Sequence, residues 1–224
     1  MALRLRFAEQ ALQTIACWMG QNDRRLKAAA QDFSMNLPFR VTICGLDELA
    51  GHCEGGVSHV LSILDPEWPV PTVFETYGEH RRLELRFHDV IEEATNVVAP
   101  GSADVERLLD FGRELAREPR AQAHLLVHCH AGVSRSSASV ALLIARAMPE
   151  APAAGVFAEI LRVRPQAWPN LRIVELGDAA LGRGGDLVRA AAGVYRRQLS
   201  QKPFLAGEFR ANRRGREVEA ALGG

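Results

Sequence analysis

The sequence predicts an α/β domain in which helices cover a sheet. Four short runs rich in Val, Ile, Leu and Phe come early in the chain, bounded by Gly, Pro or charged residues, as strands are. Segments with helical apolar spacing dominate the later part, separated by Pro or Gly. With 224 residues, 47% of them hydrophobic, the chain is long enough to bury the core of one domain. Strands early and helices late indicate a sheet covered by helices.

The N-terminal segment is predicted to be a helical extension that docks on the domain. Apolar side chains recur there at three- and four-residue steps, as an amphipathic helix requires. They are Leu5, Ala8, Leu12, Ile15 and Met19. We therefore divide the chain into a helical extension over residues 1–34, a domain over 35–200 and a tail over 201–224.

The elements of the domain are predicted in order along the chain. The four strands are "FRVTICGL", "VSHVLSIL", "RRLELRFHD" and "HLLVHC". Between the last two, "SADVERLLDFGRELARE" has helical apolar spacing, and Ser102 is suited to cap its start. Later helices are predicted at "RSSASVALLIARAM", "AAGVFAEILRVR", "PNLRIVELGDAAL" and "GDLVRAAAGVYRRQL".

The C-terminal tail is basic and has little apolar periodicity. Its cations are Lys202, Arg210, Arg213, Arg214 and Arg216. Such a composition is typical of a flexible, solvated end, so we predict no packed structure over residues 201–224.

Composition limits the classes of partner and compartment. Lys+Arg and Asp+Glu both number 27, so nucleic acid and anionic membranes are not expected partners. No apolar run approaches the roughly 20 residues that span a bilayer. The four cysteines lack C-x-x-C spacing and are sparse for a disulfide scaffold, which favours a reducing, cytoplasmic location.

The stretch "VHCHAGVSRSS", residues 127–137, carries the strongest chemical signal. A metal site is not predicted, because the consecutive residues His128, Cys129 and His130 would point to alternating faces of an extended strand. No cofactor is expected. An anion site fits better, since a strand that ends near His128 and a helix that begins near Arg135 leave unpaired backbone amides between them.

The chemistry follows from what such a loop does to its side chains. Gly132 allows the tight curl, and the planar guanidinium of Arg135 can hold two oxygens of a tetrahedral anion. The same positive field favours a thiolate on Cys129. A thiolate beneath a bound phosphoryl group is placed for in-line attack, and Ser136 can donate a hydrogen bond to the sulfur when it leaves.

This segment closely resembles the H-C-x-x-G-x-x-R-[ST] signature of cysteine-dependent protein tyrosine and dual-specificity phosphatases. The resemblance implies a central twisted sheet of about four to five strands, largely parallel, flanked by helices. It also implies a role for each loop residue. Cys129 is the nucleophile, His128 supports it, Arg135 clamps the phosphate and Ser136 aids hydrolysis of the intermediate. The amide cradle is supplied by His130, Ala131, Gly132, Val133, Ser134 and Arg135.

Two further features belong to the same resemblance. "VRPQAWPNLRIVELG" is similar to the R-P-x-x-x-P-N segment of dual-specificity phosphatases, in which the asparagine, here Asn170, braces the loop; a turn with a helix cap remains the alternative. The motif that deepens the pocket of classical tyrosine phosphatases is not found, which implies a compact, shallow-pocket member of bacterial type.

The leaving group also needs a proton, which a carboxylic acid on a facing loop can supply. We predict Asp89 for this role, because the family places its acid after the equivalent strand, roughly thirty or more residues before the cysteine. Glu92, Glu93 and Asp104 are the competing candidates.

The expected activity is metal-independent hydrolysis of phosphotyrosine, with phosphoserine and phosphothreonine as further substrates, so the expected partner is a phosphorylated protein. Alternatives are the same chemistry on a phosphoinositide or an RNA 5′-phosphate, and a phospho-binding module without turnover. A redox role for Cys44 or Cys53 toward Cys129 stays open, as does the oligomeric state.

Overall fold

The structure is a computed structural model that describes residues 35–223. The predicted N-terminal helix over residues 1–34 lies outside the described residues. No helix between residues 35 and 223 is long and apolar enough to cross a membrane.

A four-stranded parallel sheet forms the centre of the fold. Its strands are β1 (Arg40–Cys44), β2 (His59–Leu64), β3 (Arg81–Arg86) and β4 (His124–His128). Their order across the sheet is β1-β4-β2-β3, and every neighbouring pair is parallel. The predicted strands and the predicted largely parallel sheet are confirmed. Because all strands run the same way, their C-terminal ends share one edge, where sites in open α/β sheets form.

Helices cover the sheet and one another. They are α1 (Ser102–Leu115), α2 (Arg135–Ala147), α3 (Ala153–Val163), α4 (Leu171–Ala180), α5 (Asp186–Gln201), α6 (Leu205–Ala211) and α7 (Gly215–Leu222). Short 3₁₀ turns at Leu46–His52 and Thr72–Thr76 complete the described elements. Helix α2 lies in the core against β4, α1, α3 and α4, so its residues from Arg135 to Ala145 are all buried.

The predicted flexible tail is wrong. Residues 205–211 and 215–222 form α6 and α7, and Phe209 of α6 stacks on Trp168 with ring centroids 3.8 Å apart. Arg214 and Glu217 are buried and form an ion pair at 2.6 Å. Three of the five basic residues that indicated a solvated end, Arg210, Arg214 and Arg216, have acidic partners. Helices of seven and eight residues are also too short to show clear apolar periodicity.

Candidate active site

The stretch "VHCHAGVSRSS" folds as predicted from its residues. Strand β4 ends at His128, helix α2 begins at Arg135, and residues 129–134 form the loop between them. This loop lies at the C-terminal edge of the sheet, where β1 and β2 flank β4 on either side. Residues that follow the neighbouring strands therefore surround it.

The backbone carbonyls of the loop are all occupied from outside. The oxygens of residues 130–134 each accept a hydrogen bond from another part of the chain. The donors, in order, are Leu46 N at 2.9 Å, Arg164 Nη2 at 3.0 Å, Arg164 Nε at 3.0 Å, Trp168 N at 3.0 Å and Asn170 N at 3.3 Å. The loop is thereby held by the segments that follow β1 and α3.

The backbone amides of loop residues 131–134, unlike the carbonyls of the loop, have no hydrogen-bond partner among the described residues. Since the carbonyls are engaged on the outside of the curl, the amides face its interior, next to the N-terminus of α2. Several convergent N–H groups and a helix N-terminus form a cradle for a tetrahedral anion.

Gly132 is the residue that makes the curl possible. Its φ is +66°, which side-chain-bearing residues rarely adopt. A Cβ at this position would lie 2.4 Å from the carbonyl carbon of Cys44 and 2.6 Å from the amide nitrogen of Gly45. The end of β1 therefore packs directly against the loop.

Cys129 is the first residue of the loop, directly after β4, and is buried. Its Sγ is 3.3 Å from Oγ of Ser136, in the first turn of α2. His128 contacts the carbonyl oxygen of Cys129 through Nδ1 at 3.4 Å and the hydroxyl of Ser62 through Nε2 at 2.7 Å. Burial lowers the pKa of His128 to about 4, so the imidazole is neutral and supports the cysteine backbone without competing for the anion.

Arg135 is buried beside the cradle and is held by groups that follow β2 and β3. Its Nη1 donates to Oδ1 of Asp65 at 2.5 Å and to the carbonyl oxygen of Phe87 at 2.6 Å. Its Nε is buried and has no hydrogen-bond partner among the residues that the structure describes. The guanidinium is thus fixed on one side and retains a donor for an anion oxygen.

Asp89 lies against the same loop, beyond the end of β3. Its Oδ1 accepts hydrogen bonds from Ser134 Oγ at 2.7 Å and from Asn170 Nδ2 at 2.8 Å, and it is 3.2 Å from Nη1 of Arg214. Burial raises the pKa of Asp89, but the cations Arg214 and Arg135 outweigh burial and hold that pKa below its usual value.

The competing carboxylates are engaged elsewhere. Glu92 pairs with Arg216 at 2.5 Å, and Glu93 pairs with Arg172 at 2.7 Å. Asp104 accepts from the amide of Gly101 at the start of α1, at 3.0 Å. Of the four carboxylates considered, Asp89 is the one bonded to the loop.

Asn170 combines the two roles that the sequence left open. Its Oδ1 accepts from Ile173 N at 3.1 Å, which caps α4. Its backbone N donates to Ser134 O at 3.3 Å, and Nδ2 donates to Asp89 and to Val90 O at 3.2 Å. A single side chain thus caps a helix and ties the acid-bearing segment to the loop.

The site thus combines a strand, a loop of unpaired amides that begins with a buried cysteine, and an arginine at the start of a helix. These are the parts of the cysteine-dependent phosphatase signature. The residues to which the resemblance gives roles in the signature, from His128 to Ser136, lie in one loop, with the strand end before it and the helix after it.

Comparisons with known proteins give matches to solved structures alone. No family model and no curated protein matches the chain. Human DUSP28 is 17% identical, with 64% of this chain and 94% of that chain covered and a TM-score of 0.48. The PTP-2 phosphatase of Cydia pomonella is 20% identical, with 62% and 84% covered and a TM-score of 0.49. PTPMT1, in complex with PI(5)P, is 16% identical, with 64% and 91% covered and a TM-score of 0.46.

Several residues around this loop were not found from the sequence. Arg164 was within the quoted R-P segment, and Asp65 directly follows a predicted strand, so both carried a signal in their positions. Arg214 carried none, because the tail was interpreted as solvated. Its Nη2 donates to Ser134 Oγ at 2.9 Å, across 80 positions of the chain.

Among the described residues, the other cysteines and the side chains of metal-binding type form no further centre. Between residues 35 and 223, no group of three or more His, Cys, Asp or Glu side chains could hold a metal ion. Cys44 is buried at the end of β1, and burial raises the pKa of its thiol well above the usual value. Cys53 is partly exposed, and its Sγ donates to Ala50 O at 3.2 Å.

Proposed function

We propose that this protein is a metal-independent phosphatase that hydrolyses phosphotyrosine through a phosphocysteine intermediate. The observation that carries the proposal is the cradle of unpartnered amides around Cys129, closed on the outside by five occupied carbonyls. Preorganised donors of this kind stabilise the charge that develops on a transferring phosphoryl group without reorganisation during the reaction.

In the first step, Sγ of Cys129 attacks phosphorus and an S–P bond forms while the P–O bond to the leaving group breaks. Arg135 and the loop amides hold the non-bridging oxygens. Asp89 gives its proton to the leaving oxygen. In the second step, water attacks phosphorus, Asp89 takes a proton from that water, and the S–P bond breaks with Ser136 donating to the departing thiolate. Inorganic phosphate is then released.

The anchoring of Asp89 suits this use. Its Oδ1 accepts hydrogen bonds from Ser134 and Asn170 and forms the ion pair with Arg214, whereas no hydrogen bond to Oδ2 is found within residues 35–223. One oxygen fixes the carboxyl group and the other is available to carry the proton.

An aromatic side chain beside the cradle supports an aryl ester as the substrate. Trp68, in the segment after β2, packs on His130 of the loop with ring centroids 4.4 Å apart and is 37% exposed. Arg86 fixes that segment by donating to the carbonyl oxygens of Asp65 at 3.1 Å and of Trp68. A phosphotyrosine ring bound with its phosphate over Cys129 has an indole face to pack against.

The first test is of the chemistry. We expect hydrolysis of an aryl phosphate in the presence of EDTA, inhibition by vanadate, and no turnover by Cys129→Ser. Cys53→Ser is the matched control, because it makes the same change at a cysteine outside the site and should retain the wild-type rate. Loss of activity with EDTA, or turnover by Cys129→Ser, would contradict the mechanism. A single slow turnover with stable phosphocysteine would instead favour the phospho-binding module.

The second test is of the substrate class. Rates are compared on phosphotyrosine and phosphoserine peptides, a phosphoinositide and RNA with a 5′-phosphate. Trp68→Ala should raise KM for the phosphotyrosine peptide by roughly 2- to 10-fold, the range expected for one aromatic contact, and leave KM for phosphoserine unchanged. Val70→Ala, an exposed apolar residue of the same segment, is the control. Faster turnover of the phosphoinositide or the RNA would overturn the assignment of phosphotyrosine.

A further inference from the structure

A buried cation from the C-terminal helices reaches the acid and the signature loop. Arg214, between α6 and α7, is 2% exposed. Its Nη1 is 3.2 Å from Asp89 Oδ1, and its Nη2 donates to Ser134 Oγ at 2.9 Å. Ser134 in turn donates to the same Asp89 oxygen at 2.7 Å. Arg214 and Ser134, which lie 80 positions apart in the sequence, therefore meet at Oδ1 of Asp89.

The cation is itself fixed from behind. Glu217 accepts from Arg214 Nε at 2.8 Å and from its Nη2 at 2.6 Å. Glu217 also accepts from Trp168 Nε1 at 2.7 Å and from Leu171 N at 3.0 Å. The guanidinium packs over the ring of Phe209 at 5.1 Å. Each of these contacts restricts the fork of Arg214 to one orientation, which a solvated arginine would not have.

We propose that Arg214 is a positioning residue for proton transfer: it anchors one oxygen of Asp89 and, through Ser134, couples that carboxyl to the signature loop. The proposal rests on the proposed phosphatase function and adds the C-terminal helices to its machinery. Arg214 does not touch the phosphate in this account. It acts by fixing where the second oxygen of Asp89 meets the leaving group.

The charged groups around Asp89 determine how loss of Arg214 changes the ionisation of this carboxyl group. Arg214 and Arg135 are the cations that face it. Ser134 and Asn170 are neutral donors, and Tyr195 of α5, whose pKa burial raises well above its usual value, stays an uncharged phenol. Glu217 faces Arg214 from the opposite side. Loss of Arg214 therefore removes a cation that stabilises the ionised acid and also removes its anchor.

The experiment compares Arg214→Met with Arg210→Met, which removes a half-exposed arginine of α6 paired with Glu219. Each is assayed on phosphotyrosine, whose leaving phenol has a pKa of about 10 and needs a proton, and on an aryl phosphate with a more acidic phenol. We expect Arg214→Met to lower kcat by about 10- to 100-fold on phosphotyrosine and by less than about threefold on the activated ester. The alkaline limb of its pH–rate profile should move to higher pH. Arg210→Met should match the wild type.

A cycle with Asp89→Asn identifies the residue through which Arg214 acts. If Arg214 positions the acid, Arg214→Met lowers kcat no further once Asp89 is an asparagine. An equal loss on both esters, an unmoved alkaline limb, or additive losses in the double variant would each overturn the proposal, since a merely structural role reduces all rates alike.

Arg214→Lys keeps the test open if the methionine variant does not fold. Lysine retains the charge but has no fork to reach Ser134, Asp89 and Glu217 together, so the loss on phosphotyrosine should persist while the limb stays near its wild-type pH. Wild-type kinetics on both esters would overturn the proposal. Failure of the proposed function is a different result: wild-type protein would then show no hydrolysis that depends on Cys129.

Discussion

At Gly132, two independent constraints exclude a side chain. The backbone adopts a φ of +66°, and a Cβ would lie 2.4 Å from the carbonyl carbon of Cys44. Positive φ alone costs a non-glycine residue about 1–3 kcal/mol. The clash with backbone atoms adds to this, because neither β1 nor the loop can yield without moving the cradle.

Gly132→Ala should therefore weaken anion binding more than it weakens the fold. We expect the inhibition constant for vanadate to rise about tenfold or more, since each 1.4 kcal/mol changes an equilibrium tenfold. Gly182→Ala is the matched control, because Gly182 also has a positive φ, +64°, but a Cβ there meets nothing within 4 Å. Equal vanadate inhibition by the two variants would show that the loop does not form the anion site.

His128 predicts a pH dependence of stability. Its pKa falls from about 6.5 in the unfolded chain to about 4 in the fold because of burial, so the unfolded state binds more protons between those values. The stability that His128 contributes is complete above pH ~6.5 and is lost as pH falls toward ~4, by ~3 kcal/mol in total.

The measurement is urea unfolding at several pH values for the wild type and for His128→Gln. The wild type should lose more stability than the variant between neutral pH and pH ~4. His59 and His124, whose pKa values burial also lowers, act in the same direction in both proteins and cancel in the comparison. Parallel curves for the two proteins would contradict the expected burial of a neutral imidazole.

Among the site residues, the sequence predicted those that lie close together along the chain. Residues from His128 to Ser136 act within one strand, loop and helix, so their spacing determined their arrangement. Asp65, Arg164 and Arg214 reach the loop through tertiary contacts, the last across 80 positions, and no local pattern encodes such a distance. Asp89 was predicted because it follows the third predicted strand, where the resembled family places its acid, and the structure places it against the loop.

Helices α6 and α7 are the elements that the sequence did not predict. Their charged residues indicated solvent, because a cation can be judged buried only when its anion is known. Here the anions come from Glu217 within α7, from Glu175 in α4 and from Glu92 after β3. The four strands and the helices up to α5 were predicted at their observed places, the strands from bounded apolar runs and the helices from apolar spacing. The predicted cap was wrong, because Gly101 and not Ser102 caps α1.

A substitution at Glu217 tests whether these helices are part of the folded body. Glu217→Leu removes the carboxylate that accepts two hydrogen bonds from the buried guanidinium of Arg214 and leaves only the ion pair with Asp89. Breaking a buried pair costs about 3–5 kcal/mol. We expect a clear drop in Tm. Glu219→Leu is the control in the same helix, because its partner Arg210 is half exposed and surface pairs contribute at most about 1 kcal/mol. Similar Tm values for the two variants would restore the flexible-tail interpretation.

At the scale of the described fold, the strand order places three segments around one loop. With β1 and β2 on either side of β4, the residues after β1 support Gly132, those after β2 hold Arg135, and those after β3 bring Asp89. The parallel sheet was predicted, but the order β1-β4-β2-β3 was not, because pairing between strands is not written in the pattern of any one of them.

This convergence predicts how the acid responds to substrate. In the free enzyme, Arg214 and Arg135 hold the pKa of Asp89 below its usual value. A bound phosphate ester brings negative charge to Arg135 and next to Asp89, which cancels part of that effect and raises the pKa of the carboxyl group. A general acid is active only while protonated, so activity is lost as pH rises through its pKa.

The alkaline limb of kcat, which reports the enzyme–substrate complex, should therefore lie at higher pH than the alkaline limb of kcat/KM, which reports the free enzyme. Profiles on phosphotyrosine over a wide pH range measure both limbs, and Asp89→Asn should remove this limb from kcat because no acid remains to titrate. The activated ester supplies the control, since its leaving group needs little protonation and its kcat should depend weakly on the same group. If Asp89→Asn keeps the alkaline limb of kcat, another residue supplies the proton. If the wild-type limbs of kcat and kcat/KM coincide, the bound phosphate does not raise the pKa of Asp89.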